Sequence, residues 1–240
     1  MTPEITVIIN EQTVQRNEIL ALEKNRSRVA GEKLGLEFTH ENLAQMRQAL
    51  LERKLELGHK GIQSCCQKDI TISSYLFKAL SVLSRGKLKT SEIEIKVKGI
   101  SAKDFIEWFE EKNKLGDEKA LLAAHPEHYI IVSKDNSQWV YETTGGSPFV
   151  SEFVINFNQN DNLFEDMLPN YSYQISGKVL NQSGKTMGAA LHQFKETTDG
   201  FHGLLTIYFP FLVPKQIIEG HKYHLAIEFS NWVELAAQGK

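Results

Sequence analysis

Four of the chain's eight histidines fall into two pairs of the same spacing: His125 and His128 in "AAHPEHYIIV", His221 and His224 in "GHKYH". Imidazole binds transition metals and moves protons near neutral pH, so paired histidines are the first place to look for chemistry. The local context argues against it. Pro126 biases His125 away from α geometry, which makes "LLAAHP" a natural helix stop and leaves His128 beside the start of a strand. The second pair stands at another turn-to-strand junction, after "PKQIIEG". A zinc enzyme needs a third protein ligand, and no "HExxH" or cysteine pair supplies a frame for one. Spacing does not show whether the four rings converge. Both pairs read as junctions, and no metal site is expected.

Other recognised frames are missing as well. "TTGGSP" (143–148) lacks the lysine and following helix of a phosphate-binding loop, and reads as a hairpin or bulge. No "GxSxG" elbow is present. Cys65 and Cys66 are adjacent with no third cysteine, so they make neither a disulfide framework nor a thiolate cage. No motif asks for a cofactor, and none is expected.

The remaining candidate anchors are His192, Glu142, Trp139 and Tyr141. If Asp199-Gly200 is the centre of a hairpin turn, His192 pairs with Ile207 and Phe194 with Leu205. His192 then lies on the apolar face of Phe201, Leu205 and Ile207, and His202 lies on the other face with Thr206 and Tyr208. The Asp135-Asn136 turn sets Trp139 and Tyr141 beside Ile130 and Val132. Glu142 falls on the opposite face, with Val140 and Ile131. Burial there would raise its pKa, the condition that makes a carboxyl a general acid or base.

These side chains need elements to carry them. Residues 11–35 and 39–57 show amphipathic helical spacing, with Thr39 as an N-cap and Gly35 and Gly58 as stops. This hairpin region, residues 1–62, is set apart from an α+β domain over 63–240, unless the two form one continuous domain. "SSYLFKALSVLSRG" reads as a further short helix, 91–98 as a strand, and "SAKDFIEWFEEKNKLG" as a helix capped by Ser101. From Tyr129 onward strands follow at 129–134, 137–144, 149–157, 171–180, 185–196, 201–209 and 222–231. Short helices are expected over "DNLFEDML" and "PKQIIEG". The fold class is α+β: N-terminal helices with a curved, mainly antiparallel β-sheet or partial barrel in the C-terminal half.

A formal net charge of −3 gives no field that favours nucleic acid, and Glu92 and Glu94 interrupt the one basic strip, 84–99. No stretch nears the roughly 20 apolar residues of a membrane span. The start carries no secretory signature, and a cytoplasmic location is expected. Aromatic residues on the strands suit a cavity that binds a small apolar or aromatic ligand, with His192 and Tyr141 as polar anchors and Trp139 and Glu142 beside them. The alternatives are a hydrolase or lyase on the same scaffold, pairing His192 or His202 with Glu142, and an assembly module whose N-terminal helices support a homodimer. The sequence leaves open whether the chain is an enzyme.

Overall fold

A computed structural model of the chain describes residues 2–157 and 168–239. Nine strands form one antiparallel sheet: β1 (Glu4–Ile9), β2 (Gln12–Val14), β3 (Leu88–Lys98), β4 (His128–Lys134), β5 (Ser137–Glu142), β6 (Ser151–Asn156), β7 (Tyr173–Leu180), β8 (Thr186–Glu196) and β9 (Gly200–Pro210). Their order is β2-β1-β3-β9-β8-β7-β6-β5-β4, so the sheet is open, with β2 and β4 at its edges, and does not close into a barrel. Five helices accompany it: α1 (Arg16–Lys33), α2 (Leu43–Ser84), α3 (Ala102–Leu115), α4 (Glu118–Leu122) and α5 (Lys215–Gln238). None is long and apolar enough to cross a membrane.

Turn chemistry explains two of the hairpins. Asn10-Glu11 and Asp135-Asn136 both adopt positive φ at two successive residues, the geometry of a type I′ turn between twisted strands. The β4–β5 register follows as expected: Ile130 faces Tyr141, Ile131 faces Val140 and Val132 faces Trp139. The β8–β9 turn is centred one residue earlier than expected. Glu196 pairs with Phe201 and Thr197 N–H donates to Gly200 O, so Thr198-Asp199 make the turn and His192 lies opposite Leu205 rather than Ile207. The register shifts by two in the partner strand, an even number. His192 therefore keeps the face expected for it.

Several expected elements differ. β1 and β2 occupy residues assigned no strand, and β1 adds to the sheet by pairing with β3. Residue 62, the boundary expected unless the chain is one continuous domain, lies within α2. The expected third helix is the C-terminal end of α2. The start of α2 is capped by Asn42 in a reciprocal box with Gln45, not by Thr39, and at Gly58, the expected stop, the backbone leaves helical geometry (φ 57°, ψ −179°), so that two helical segments meet across a kink. The strand expected over 222–231 is part of α5. The helix expected over "DNLFEDML" falls mostly on residues 161–167, outside the described residues.

The reason for α5 lies in its spacing. Ile218, Leu225, Phe229, Trp232, Val233 and Ala236 are buried at intervals of three, four and seven. From Leu225 onward this stripe belongs to the larger apolar core with Phe194, Phe201 and Leu205 of the sheet and Phe105 and Phe109 of α3, while Ile218 packs in a smaller cluster with Phe209 and Val213. Each such side chain contributes roughly 1.5–3 kcal/mol by leaving water. A second core joins Tyr129, Ile130 and Tyr141 to Ala30 of α1, to Leu34 just past its end and to Leu50, Ile62, Cys66 and Ile70 of α2. Trp139 and Val132 pack at its rim.

Two glycines let α5 approach the strand ends. A Cβ on Gly220 would stand 2.0 Å from Gly145 O, and one on Gly145, at φ +61°, would stand 2.3 Å from Ile217 O. The turn at Thr144–Gly146 is thus seated directly on the first turns of α5. We expect Gly220→Ala to cost about 1–3 kcal/mol through this overpacking. Urea denaturation checks it, and a cost below a few tenths would mean that the contact is not tight.

Candidate functional site

The fold brings the two histidine pairs together. His125 and His128 do lie at a junction, in the turn after α4 and at the first residue of β4. His221 and His224 lie instead inside α5, one turn apart, with Glu228 four residues further along the same side. The rings of His125 and His224 stack with centroids 3.8 Å apart, those of His221 and His224 at 5.0 Å, and those of His128 and His224 at 5.0 Å. All four histidines are buried.

Glu142 completes the group because of a fault in strand pairing. Regular alternation from Ile130 would place His128 on the face of Ile130 and Tyr141, toward α1 and α2. A bulge between His128 and Ile130 makes His128 the partner of Glu142 instead, on the same face. His128 Nε2 is 3.0 Å from His224 Nε2, 3.6 Å from Glu142 Oε2 and 3.5 Å from Glu228 Oε1. His224 Nε2 is also 3.6 Å from Glu142 Oε2.

Burial sets the charge state of the cluster. It pushes His128 and His221 down to about 3 and His125 and His224 well below the usual range, so the rings are neutral at pH 7. Burial and the Glu127 charge push Glu142 up to about 8, and burial with Glu142 as neighbour raises Glu228 well above the carboxylate range. Among the described residues, Nδ1 of His221 and His224 and Nε2 of His125 have no hydrogen-bond partner. Groups of ring nitrogens and carboxylates lie within 4.8 Å of one another in two overlapping sets, His125–His128–His224 and Glu142–His221–His224, a spacing that could hold a metal ion.

The neighbours hold this arrangement in place. Glu127 N–H donates to His125 Nδ1 and Lys54 Nζ to His125 O. Arg26 pairs with the Glu127 carboxylate and reaches Gly220 O in α5. Further along α5, Asn231 accepts from Arg16 and Arg47 and donates to Glu23 Oε1 and Ala124 O. Arg47 meets the buried Glu23 in two bonds of 2.6 Å. Helices α1, α2 and α5 are thereby tied to the residue preceding His125.

A cleft of about 120 Å³ opens beside the cluster. Its walls include Phe77 of α2, Phe153 and Ile155 of β6, Ile207 and Phe209 of β9 and Leu225 of α5, and its lining also takes in Glu142, His192, His221 and Glu228. Of the anchors expected from sequence, His192 and Glu142 line this cleft. Trp139 and Tyr141 do not. They sit on the other face of β5, where Trp139 Nε1 donates to Glu152 and Tyr141 OH accepts from Gln63. His202 is also separated from Glu142: its Nε2 lies 2.9 Å from Glu94 Oε2 on the opposite face of β9.

His128, His221 and His224 are weighed from sequence and set aside as junction residues, and Glu228 is not among the expected site residues. One signal was available: on a helix, residues 221, 224, 225 and 228 share one face. The other, the bulge, leaves no mark in residue type.

The apolar cleft between the antiparallel sheet and α5 thus ends on buried imidazoles and carboxyls. No protein family matches the chain, and no curated protein matches it in sequence. The functional reading rests on the site itself.

Proposed function

We propose that the chain binds a small molecule with an apolar body and one polar end, seated in the cleft between β6–β9, α2 and α5. The observation that carries this reading is the pairing of apolar walls with buried polar atoms that have no partner among the described residues. His192 Nδ1, His221 Nδ1 and Ser151 Oγ all belong to residues that line the cleft. An unsatisfied buried polar group costs roughly 1–3 kcal/mol, so an occupant that supplies hydrogen bonds here recovers stability as well as affinity. The volume suits a compact molecule rather than a long chain lipid.

The test is a thermal-shift series with short carboxylic acids and the matching alcohols, alongside native mass spectrometry of the purified protein. A rise in Tm for one chemical class, abolished by Val179→Trp at the cleft wall, supports the reading. Only apo mass and no shift across the series would sink it. A hydrolase or lyase reading draws on one specific observation, the Glu142 carboxyl held protonated near neutral pH beside the cleft. It pairs Glu142 with His192 and no longer with His202.

A further inference from the structure

We propose that His128, His224 and Glu142 hold one divalent first-row transition-metal ion, with Glu228 beside the ion's remaining coordination position. The site goes beyond the cleft reading and does not depend on an occupant.

Geometry comes first. Nitrogen and oxygen ligands at the usual roughly 2.0–2.1 Å from zinc are separated by about 3.3 Å along the edge of a tetrahedron. The three distances within the triad are 3.0, 3.6 and 3.6 Å, so the atoms already outline one tetrahedral face. Glu228 Oε1, 3.5 Å from His128 Nε2, lies at a fourth such spacing. Two imidazoles and a carboxylate are a donor set for zinc or iron rather than for calcium or magnesium, which favour oxygen alone.

Charge is the second, independent observation. Glu142 and Glu228 are two acids withdrawn from water side by side, and among the described residues no lysine or arginine pairs with either. The nearby cation Arg26 is engaged by Glu127. A dication answers both carboxylates at once, and the neutral rings beside them are in the protonation state that a ligand needs.

His125 is excluded from the set by its own bonding. Its Nδ1 accepts the Glu127 N–H, which leaves the ring proton on Nε2. It serves as the platform on which the His224 ring stacks. Because Glu142 and Glu228 line the cleft and His128 and His224 do not, the ion sits between the histidines and the cleft floor.

The experiment uses the full chain, stripped with a chelator and with no organic ligand added. Zinc is titrated in against a chromophoric competitor, and cobalt is added separately to read coordination from its visible spectrum. One zinc per chain, a rise in Tm, and a four- or five-coordinate cobalt spectrum are expected. His128→Gln and Glu142→Gln should weaken zinc by more than the roughly 10–100-fold that loss of a group merely supporting a ligand costs. His202→Gln, on the other face, should bind as the parent does. If the two ligand variants fail to fold, the parent's stoichiometry and cobalt spectrum decide alone. Zinc that washes off on gel filtration, an octahedral cobalt spectrum, or folded ligand variants that bind undiminished would overturn the assignment. These readouts move independently of the carboxylic-acid series, so loss of one proposal leaves the other standing.

Discussion

Replacing Arg47 by leucine is expected to lower the unfolding free energy by about 3 kcal/mol, because it strands the Glu23 carboxylate inside the protein. Glu23 is 1% exposed and its two oxygens take both bonds from Arg47, while Asn231 supplies one weaker bond at 3.2 Å. The guanidinium itself is about a third exposed, with 34% side-chain accessibility, so water can relieve part of the loss. That places the cost at the lower end for a broken buried pair. For a chain of this size it corresponds to a Tm lowered by roughly 6–12 °C. Adding Glu23→Gln should recover at least half of the loss, since the amide carries no charge to strand. Paired urea curves for the single and double variants give the coupling directly. An Arg47→Leu cost below about 1 kcal/mol would show that the pair is not what holds α2 to α1.

The second large effect concerns acid. Burial pushes His192 down to about 3 in the folded chain, against 6.5 for an ordinary histidine. Above pH 6.5 the ring is neutral in both states and contributes no pH dependence. Below 6.5 the unfolded chain takes up a proton that the folded chain refuses, so stability falls by about 1.4 kcal/mol per pH unit until the folded pKa is reached. Removing the group by His192→Phe should make the metal-free protein's stability curve shallower by one proton, a gain of about 2 kcal/mol relative to the parent between pH 6.5 and 5. The T-shaped contact with Phe229 at 4.8 Å suits a phenyl ring, so the variant is expected to fold. Parallel slopes for parent and variant would mean that His192 is already wet.

What could be read in advance, and what could not, divides along physical lines. The β4–β5 hairpin was legible because Asp135-Asn136 specifies its turn and two apolar faces follow from alternation. The face of His192 survived a mistaken turn centre because the error was even. The final helix was not legible as a helix: Gly220 interrupts it, and "HLAIEF" satisfies a strand pattern as readily as a helical one. Only the longer run from Ile218 to Ala236 resolves the two periods. Glu142 was recognised as an acid at risk of burial, but its company was not, since His221 and His224 had been given to a turn and a strand. Trp139 and Tyr141 were assigned to the correct face of β5. The cleft is on the other one.

The bulge before Ile130 has a consequence for how this chain can change over time. Residues on the two sides of it obey opposite parities, much as codons do on the two sides of a frameshift. Loss of one residue there would restore strict alternation and still leave the first side chain of β4 across from Glu142, on the same face. The residue that would vanish is Tyr129, whose ring belongs to the second core. A single-codon deletion could therefore straighten the strand without taking the imidazole out of the cluster, and its cost would fall on the packing against α1 and α2.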